Sequence, residues 1–538
     1  MKKKRLLETY LPMYLSGLLL LVMLVTVFLQ APDTALTTDE AMHASYGRAT
    51  LRWYVTLGKD RSFLNYPPED YEPQHGAIFD VVVAAAQRVF QHQWLTEAVL
   101  TGLTGVLSVV ALALCGLELG GWWFALLAAL SLWLYPRFFG AIFNNPKDIP
   151  FTMADTFVLW SLLLLIKQWE NERQRYVRNS LLVAFFLGIA IAIRVNAVVW
   201  YALLALWLAG WWLLHWREVR RESRFAQAAG QQLIAASIIG IGSFLWTLLL
   251  WPYVFLNPFA NFFNAMVVLA RYPWNGSVLF QGTMQLAVHL PRAYALFWLL
   301  IASPPLLLFC ALLGLAVLAI LYLHKRVLDL PMTLVLLAFA APLCIIVGLH
   351  SVLYNGLRQF LFLVPPLILL GTYGLLHTLT FFWQRKRKLL SLLLLLCFAG
   401  GSLWTVSDMF ALHPYEYAYF SPLVGGIAGA EGRYEIDYWN TCQRAAALWL
   451  GAHYQAFSTV QHPTIQARPI QFQYLTFLPS SFRAVQQNPD FLIDVPPFPS
   501  PQNFPDYELI HIESVQQVPL CRVYMHKHMY RASALPEK

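Results

Sequence analysis

Long apolar runs alternate with short polar segments through most of this chain, the pattern of helices that cross a bilayer. The first run, residues 11–30, follows the basic start Met1-Lys2-Lys3-Lys4-Arg5. A basic flank stays on the cytoplasmic side, so the chain is expected to emerge outside at about Ala31. The run exceeds the about 7–15 apolar residues of a cleavable signal and reads as a retained anchor. Further runs lie at 94–118, 122–135, 151–166, 180–214, 231–251, 294–323, 331–348, 357–382 and 389–406. The run 180–214 is too long for one crossing and is interrupted by Arg194-Val195-Asn196, so it reads as two shorter spans meeting at an outer turn. About eleven spans result, and the cationic clusters at 167–178, 217–224, 324–326 and 385–388 all fall on the cytoplasmic side.

This topology leaves external loops at about 31–93, 136–150 and 252–293, and an external tail at 407–538. Residues 76–90 are apolar, but short and marked by Gln87 and Arg88, which suits a helix lying at the interface. The fold expected is a polytopic all-α membrane protein, residues 1–406, carrying a small C-terminal α+β extracytoplasmic domain. Composition agrees: 58% of the 538 residues are hydrophobic and 12% are charged, against about 25% charged in soluble domains. The formal charge of +8 is scattered between apolar runs, which marks membrane orientation and argues against nucleic acid as a partner. No phosphate-binding P-loop, dinucleotide fingerprint or zinc-helix motif is present.

The tail holds Cys442 and Cys521, the other cysteines falling in apolar runs. A helix over 438–450 with Ala445, Leu448 and Trp449 on its packing face, laid on strands at 507–512 and 518–524, is expected to bring the two thiols within reach of a disulfide.

The chemistry begins at Thr37-Thr38-Asp39-Glu40-Ala41-Met42-His43, just beyond the first span. Adjacent carboxylates repel, and partial burial is expected to raise one pKa and make a proton acceptor. Read alone, the pair is also a solvated helix start capped by Thr37 or Thr38. Arg194 is costly inside an apolar run and is a functional candidate by default, although capping an outer turn would also account for it.

The order of elements resembles the bacterial membrane-embedded C-type (GT-C) glycosyltransferases that use polyprenyl-phosphate sugars, the group holding protein O-mannosyltransferases and aminoarabinose transferases. The residues that carry the resemblance are Asp39-Glu40, Asn144-Asn145-Pro146-Lys147-Asp148, Trp251-Pro252, Leu290-Pro291-Arg292-Ala293-Tyr294, Ser303-Pro304-Pro305, Tyr354-Asn355-Gly356-Leu357-Arg358 and Pro365-Pro366. Beyond the last span, His413-Pro414-Tyr415-Glu416-Tyr417 and Gly432-Arg433-Tyr434-Glu435-Ile436-Asp437-Tyr438-Trp439 resemble a bacterial subset of that group. The resemblance covers about residues 1–450 and implies inverting transfer of a sugar to a glycan, lipid or protein acceptor at the outer face of the inner membrane.

It implies Asp39 as the base, with Glu40 holding acceptor or sugar and Asp148 as a second acid. Lys147, Arg194, Arg271 and Arg358 become candidates for the donor phosphate, and His75 and Tyr354 for substrate contact. Arg271, in Arg271-Tyr272-Pro273-Trp274, also suits an interfacial aromatic belt. Asp39 and Asp148 together are the candidate ligands for a divalent metal, Mg or Mn. The rival class is a polytopic transporter or a flippase for lipid-linked glycans. Transporters tend toward repeated halves and charge near the midplane, whereas polar residues here concentrate in long external loops.

Overall fold

The computed structural model describes residues 9–66, 72–90, 93–168, 173–221, 225–270, 272, 274–469, 473–496 and 504–529. Among them, ten helices are long and apolar enough to cross a membrane. An eleventh apolar helix, Trp122–Trp133, is shorter and leads through Leu134-Tyr135 into Pro136–Ala141. The chain is a multi-pass, mostly helical membrane protein with a β-containing C-terminal domain.

Two spans differ from the sequence expectation. The run 294–323 is not one helix: Tyr294–Ala302 ends at extended Ser303, and Pro305–Lys325 starts anew. Ser303 precedes Pro304, whose ring disfavours helical backbone in the residue before it. The run 180–214 does divide at Arg194, which is extended at φ −141°, ψ 121°. Its halves are nevertheless full-length helices, Arg173–Ile193 and Val199–Arg221, because each continues into a flanking basic loop.

The loop that follows the first span is a small helical unit seated on the membrane helices. Glu40–Val55 packs on Ile78–Gln87 so closely that a Cβ on Gly47 would lie 2.4 Å from the Asp80 carbonyl oxygen. Tyr54 and Trp251 tie this unit down: the Tyr54 hydroxyl donates to the Leu249 carbonyl at 3.0 Å, and the Trp251 indole donates to the Pro73 carbonyl at 3.1 Å. Gly76 has no room for a side chain, since a Cβ there would fall 1.6 Å from the Ala192 carbonyl oxygen.

The last long helix runs to Leu412, past the expected boundary at 406. Beyond it, helix Cys442–Phe457 lies on a sheet of β3 (Thr464–Arg468), β4 (Arg483–Ala484), β5 (Phe491–Asp494), β6 (Tyr507–Val515) and β7 (Val518–His526), in the order β4-β3-β5-β7-β6. The hairpin β1 (Ser277–Phe280) and β2 (Thr283–Leu286) belongs to the later loop, residues 252–293. Cys442 and Cys521 are joined in a disulfide with Cα atoms 5.8 Å apart. The helix buries Cys442, Ala446, Ala447, Leu450 and Tyr454, whereas Leu448 is exposed. Its packing face is therefore rotated from the one expected, because the disulfide and Leu450, not Leu448, set the helix orientation. A short helix, Gly426–Ala430, precedes that helix.

Candidate functional site

Asp39 opens the helix Glu40–Val55, and its Oδ2 accepts a 2.6 Å hydrogen bond from Arg358 Nη1. Burial alone would raise the Asp39 pKa, but Arg358 and, more weakly, His43 outweigh it and hold the carboxyl below its ordinary range. Glu40 points the other way. Its Oε1 accepts from the Thr37 amide at 3.0 Å, in the loop before the helix, and its side chain is buried. Burial pushes its pKa up to about 8 against the bond from Thr37. The adjacent acids thus have separate roles in the apo site: an ionised carboxylate on an arginine, and a buried acid closing the loop.

The second loop builds the other half. Asn145 Oδ1 accepts from the amides of Lys147 (3.2 Å) and Asp148 (2.8 Å), and its Nδ2 donates to Asp148 Oδ2 at 2.8 Å. That local cage starts the helix Asp148–Gln168 and aims Asp148, whose Oδ1 accepts from Arg194. Lys147 turns back, donating from Nζ to the Gly76 carbonyl at 2.6 Å. Burial lowers its pKa, with Asp80 and Glu72 opposing. Lys147 therefore clamps the loop that carries His75.

Arg194, His75 and Tyr354 line one cavity of 430 Å³ whose lining is largely apolar, with Phe151, Leu203, Pro342 and Ile346 among its residues and Asp155 as a further acid. Burial, helped by the cations Lys147 and Arg194, takes His75 well below its ordinary pKa, so it is neutral there. Tyr354 stacks on Trp274 with centroids 4.2 Å apart and on Tyr272 at 6.5 Å, and the Arg358 guanidinium lies 5.3 Å from the Tyr354 ring centre. His75 meets the Tyr272 ring edge-on at 5.9 Å. Arg358 also lies within electrostatic reach of Asp148, which joins the two halves. Arg271 lies outside the described residues.

The fold thus gathers Asp39, Asp148, Lys147, Arg194, Arg358, His75 and Tyr354, and turns Glu40 inward. Sequence reasoning missed Trp274 and Tyr272 as a stacking surface, Asn145 as the cage for Asp148, and the pair of His43 with Asp80. His43 Nδ1 sits 3.6 Å from Asp80 Oδ2; burial opposes charging this imidazole, but Asp80 more than compensates and raises its pKa. The polar Asp80 within an otherwise apolar helix was the available signal. Of the two metal candidates, Asp39 accepts from Arg358 and Asp148 from Arg194, and no group of three His, Cys, Asp or Glu suited to a metal occurs among the described residues.

No family model matches the sequence, and no curated protein matches it. Among solved structures, the chain resembles ArnT of Cupriavidus metallidurans, determined with undecaprenyl phosphate bound, over 97% of this chain and 99% of that one, at TM-score 0.51 and 13% identity. It also aligns with the archaeal oligosaccharyltransferase AglB of Archaeoglobus fulgidus, determined with an inhibitory peptide and a dolichol-phosphate, at TM-score 0.49 and 14% identity. That alignment covers 81% of this chain and spans 58% of the AglB chain. The full-length likeness to ArnT shows the fold: this chain shares the architecture of that structure.

Proposed function

We propose that this chain is an inverting glycosyltransferase that moves a sugar from a polyprenyl-phosphate donor to an acceptor at the outer face of the inner membrane. The observation that carries the reading is the double arginine–carboxylate arrangement, Arg358 with Asp39 and Arg194 with Asp148, beside an apolar cavity that Arg194 itself lines. An amphiphilic donor needs that combination: apolar walls for its chain, guanidinium groups for its phosphate, and a carboxylate near the reacting carbon. The phosphate bound to the ArnT neighbour, undecaprenyl phosphate, is of this kind.

Arg358 is the pivot of the mechanism. Without donor it holds Asp39 ionised and weakly basic. A donor phosphate draws the guanidinium toward itself, and Asp39, losing its partner, becomes a stronger base. Asp39 then takes the proton of the acceptor hydroxyl or amine as that group attacks the anomeric carbon, and the electron pair of the breaking bond passes to the phosphate oxygen. Arg194 and Arg358 stabilise the charge gathering there. Tyr354, Tyr272 and Trp274 offer an aromatic surface for a sugar ring, with neutral His75 at its edge. The acceptor class is a cell-envelope glycan, a lipid or a protein.

Membranes containing the chain, supplied with a radiolabelled polyprenyl-phosphate sugar, test this directly. Label moving covalently onto an envelope acceptor supports transfer. Donor crossing the bilayer with no covalent product would establish the transporter class instead.

A further inference from the structure

A second cavity, of 280 Å³, lies between the C-terminal domain and the loops that carry the site acids. Asp33 reaches it from the loop after the first span, Asn144 from the second loop, and His413 from the end of the last long helix. Arg444 and Ala445 of the helix Cys442–Phe457 and Glu513 of β6 close the other side. None of the residues around it lines the cavity of Arg194. Arg444 joins the two sides, donating from Nη1 and Nη2 to the carbonyls of Asp33 and Pro32, each at 2.9 Å. His413 meets Glu416 through Nδ1 at 2.7 Å and brings Nε2 to 3.9 Å from the Asp33 carboxylate. Glu513 Oε2 lies 3.5 Å from His511 Nε2. Each lining carboxylate therefore has a base beside it, and the cavity is polar without being built for an ion.

Two polar atoms of these lining residues are buried without a hydrogen-bond partner among the described residues, Asn144 Oδ1 and Arg444 Nε. Asn144 is 4% exposed, and its Nδ2 donates to the Gly140 carbonyl at 3.0 Å, which fixes the amide with its oxygen left over. Buried polar groups are ordinarily paired, so two orphans around one cavity point to a group that completes them. One orphan is an acceptor and the other a donor. Hydroxyl groups serve both, giving a proton to the amide oxygen and accepting from the guanidinium, while the carboxylates of Asp33 and Glu513 accept further hydroxyls. A compact neutral ring carrying several hydroxyls, a sugar, matches this set. A metal ion would leave the arginine donor unmet, and a lipid chain would leave both orphans unmet. The same loops carry the site acids: Asn144 precedes Asn145, which cages Asp148, and Asp33 lies a few residues before Asp39.

We propose that this cavity is a subsite for a sugar ring of the acceptor, held by the C-terminal domain against the two loops that carry Asp39 and Asp148. The inference deepens the transferase reading and rests on it for the ligand's role as acceptor. Donor and acceptor can both carry sugars, but the donor's requirements are met at the cavity of Arg194, where an apolar lining suits its chain and Tyr354 stacks with Tyr272 and Trp274. The separate polar cavity is left for the other substrate. The acceptor class narrows accordingly to a glycan or the glycan head of a lipid.

The test titrates the purified full-length protein with the methyl glycosides of glucose, galactose, mannose and N-acetylglucosamine. Binding is read by saturation-transfer NMR, with and without saturating undecaprenyl phosphate. At least one glycoside is expected to bind wild type, and undecaprenyl phosphate leaves it in place. Ala445→Phe, which fills the cavity without removing a polar group, abolishes that binding. Glu513→Ala, on the edge strand β6, weakens it about tenfold, the scale of a charge-assisted hydrogen bond. Melting temperatures verify folding, and Glu513→Ala decides alone if Ala445→Phe does not fold. Failure of every glycoside to bind, displacement by undecaprenyl phosphate, or unchanged binding in the folded variants overturns the proposal. In membranes that transfer labelled sugar, the bound glycoside inhibits and added envelope acceptor relieves the inhibition; an active enzyme that it does not inhibit overturns the acceptor role. Wild type that binds the glycoside but transfers no sugar defeats the transferase reading and the acceptor role with it, while the sugar site stands.

Discussion

Arg358 donates a 2.6 Å hydrogen bond to Asp39 across a sequence separation of 319 residues, and the same guanidinium lies against the Tyr354 ring that lines the apolar cavity. One cation therefore connects the proposed base, Asp39, to the cavity proposed for an anionic lipid head.

This sharing predicts a split in pH dependence. In the free protein, burial is outweighed by Arg358 and Asp39 titrates below the ordinary carboxylate range. The acid limb of kcat/KM, which reports the free enzyme, is expected below the ordinary carboxylate range. With donor bound, Arg358 turns to phosphate, and the acid limb of kcat moves to higher pH. Coincident limbs would show that the ion pair persists through the reaction. Stability follows the same sign: a depressed carboxylate contributes above its unfolded pKa, and that contribution is lost as pH falls through the lowered one.

Removing Arg358 or Arg194 is expected to weaken donor use more than acceptor use. Arg358→Ala and Arg194→Ala should each raise donor KM by about tenfold or more, the scale of a charge-assisted hydrogen bond. Arg358→Lys should recover part, since a point charge replaces a two-pronged donor. Steady-state kinetics with each substrate varied in turn checks this, and an unchanged donor KM in both alanine variants would contradict it.

Gly76→Ala is expected to unseat the first loop. Its new methyl group would overlap the Ala192 carbonyl, and the Lys147 bond to the Gly76 carbonyl would be lost with the displacement. A cost of about 3 kcal/mol or more is anticipated for backbone overlap of this kind. Gly210→Ala, where nothing lies within 4 Å, serves as the helix control and should not destabilise. Equal melting temperatures for the two variants would refute the close packing at Gly76.

The Cys442–Cys521 bond closes a separation of 79 residues in the C-terminal domain. Cys442→Ser with Cys521→Ser is expected to destabilise that domain by about 4 kcal/mol in the chain-entropy model. Denaturant unfolding of the full chain measures it, and a change below about 1 kcal/mol would mean that strain or residual unfolded structure cancels the constraint.

Membrane spans were legible because bilayer thickness fixes their length and lipid fixes their composition. Arg194 announced itself by its cost in an apolar run, and the break there is real. What stayed hidden depends on three-dimensional closure. The break at Ser303 lies in an unbroken apolar run where a prolyl ring, not hydropathy, decides. Glu40 and Asp39 look equivalent in sequence, yet one meets Thr37 and the other Arg358. The helix Cys442–Phe457 is apolar on more than one side, so only its partners could choose the buried face. Trp274 and Tyr272 read as interfacial residues until Tyr354 stacks on them.

The most direct test of the account is sugar transfer from a polyprenyl-phosphate donor by purified wild type and Asp39→Asn, with folding verified by equal melting temperatures. The account predicts wild-type transfer and a loss of about two to four orders of magnitude in the variant, the range for removing a general base. Transfer by Asp39→Asn above about a tenth of the wild-type rate would contradict it.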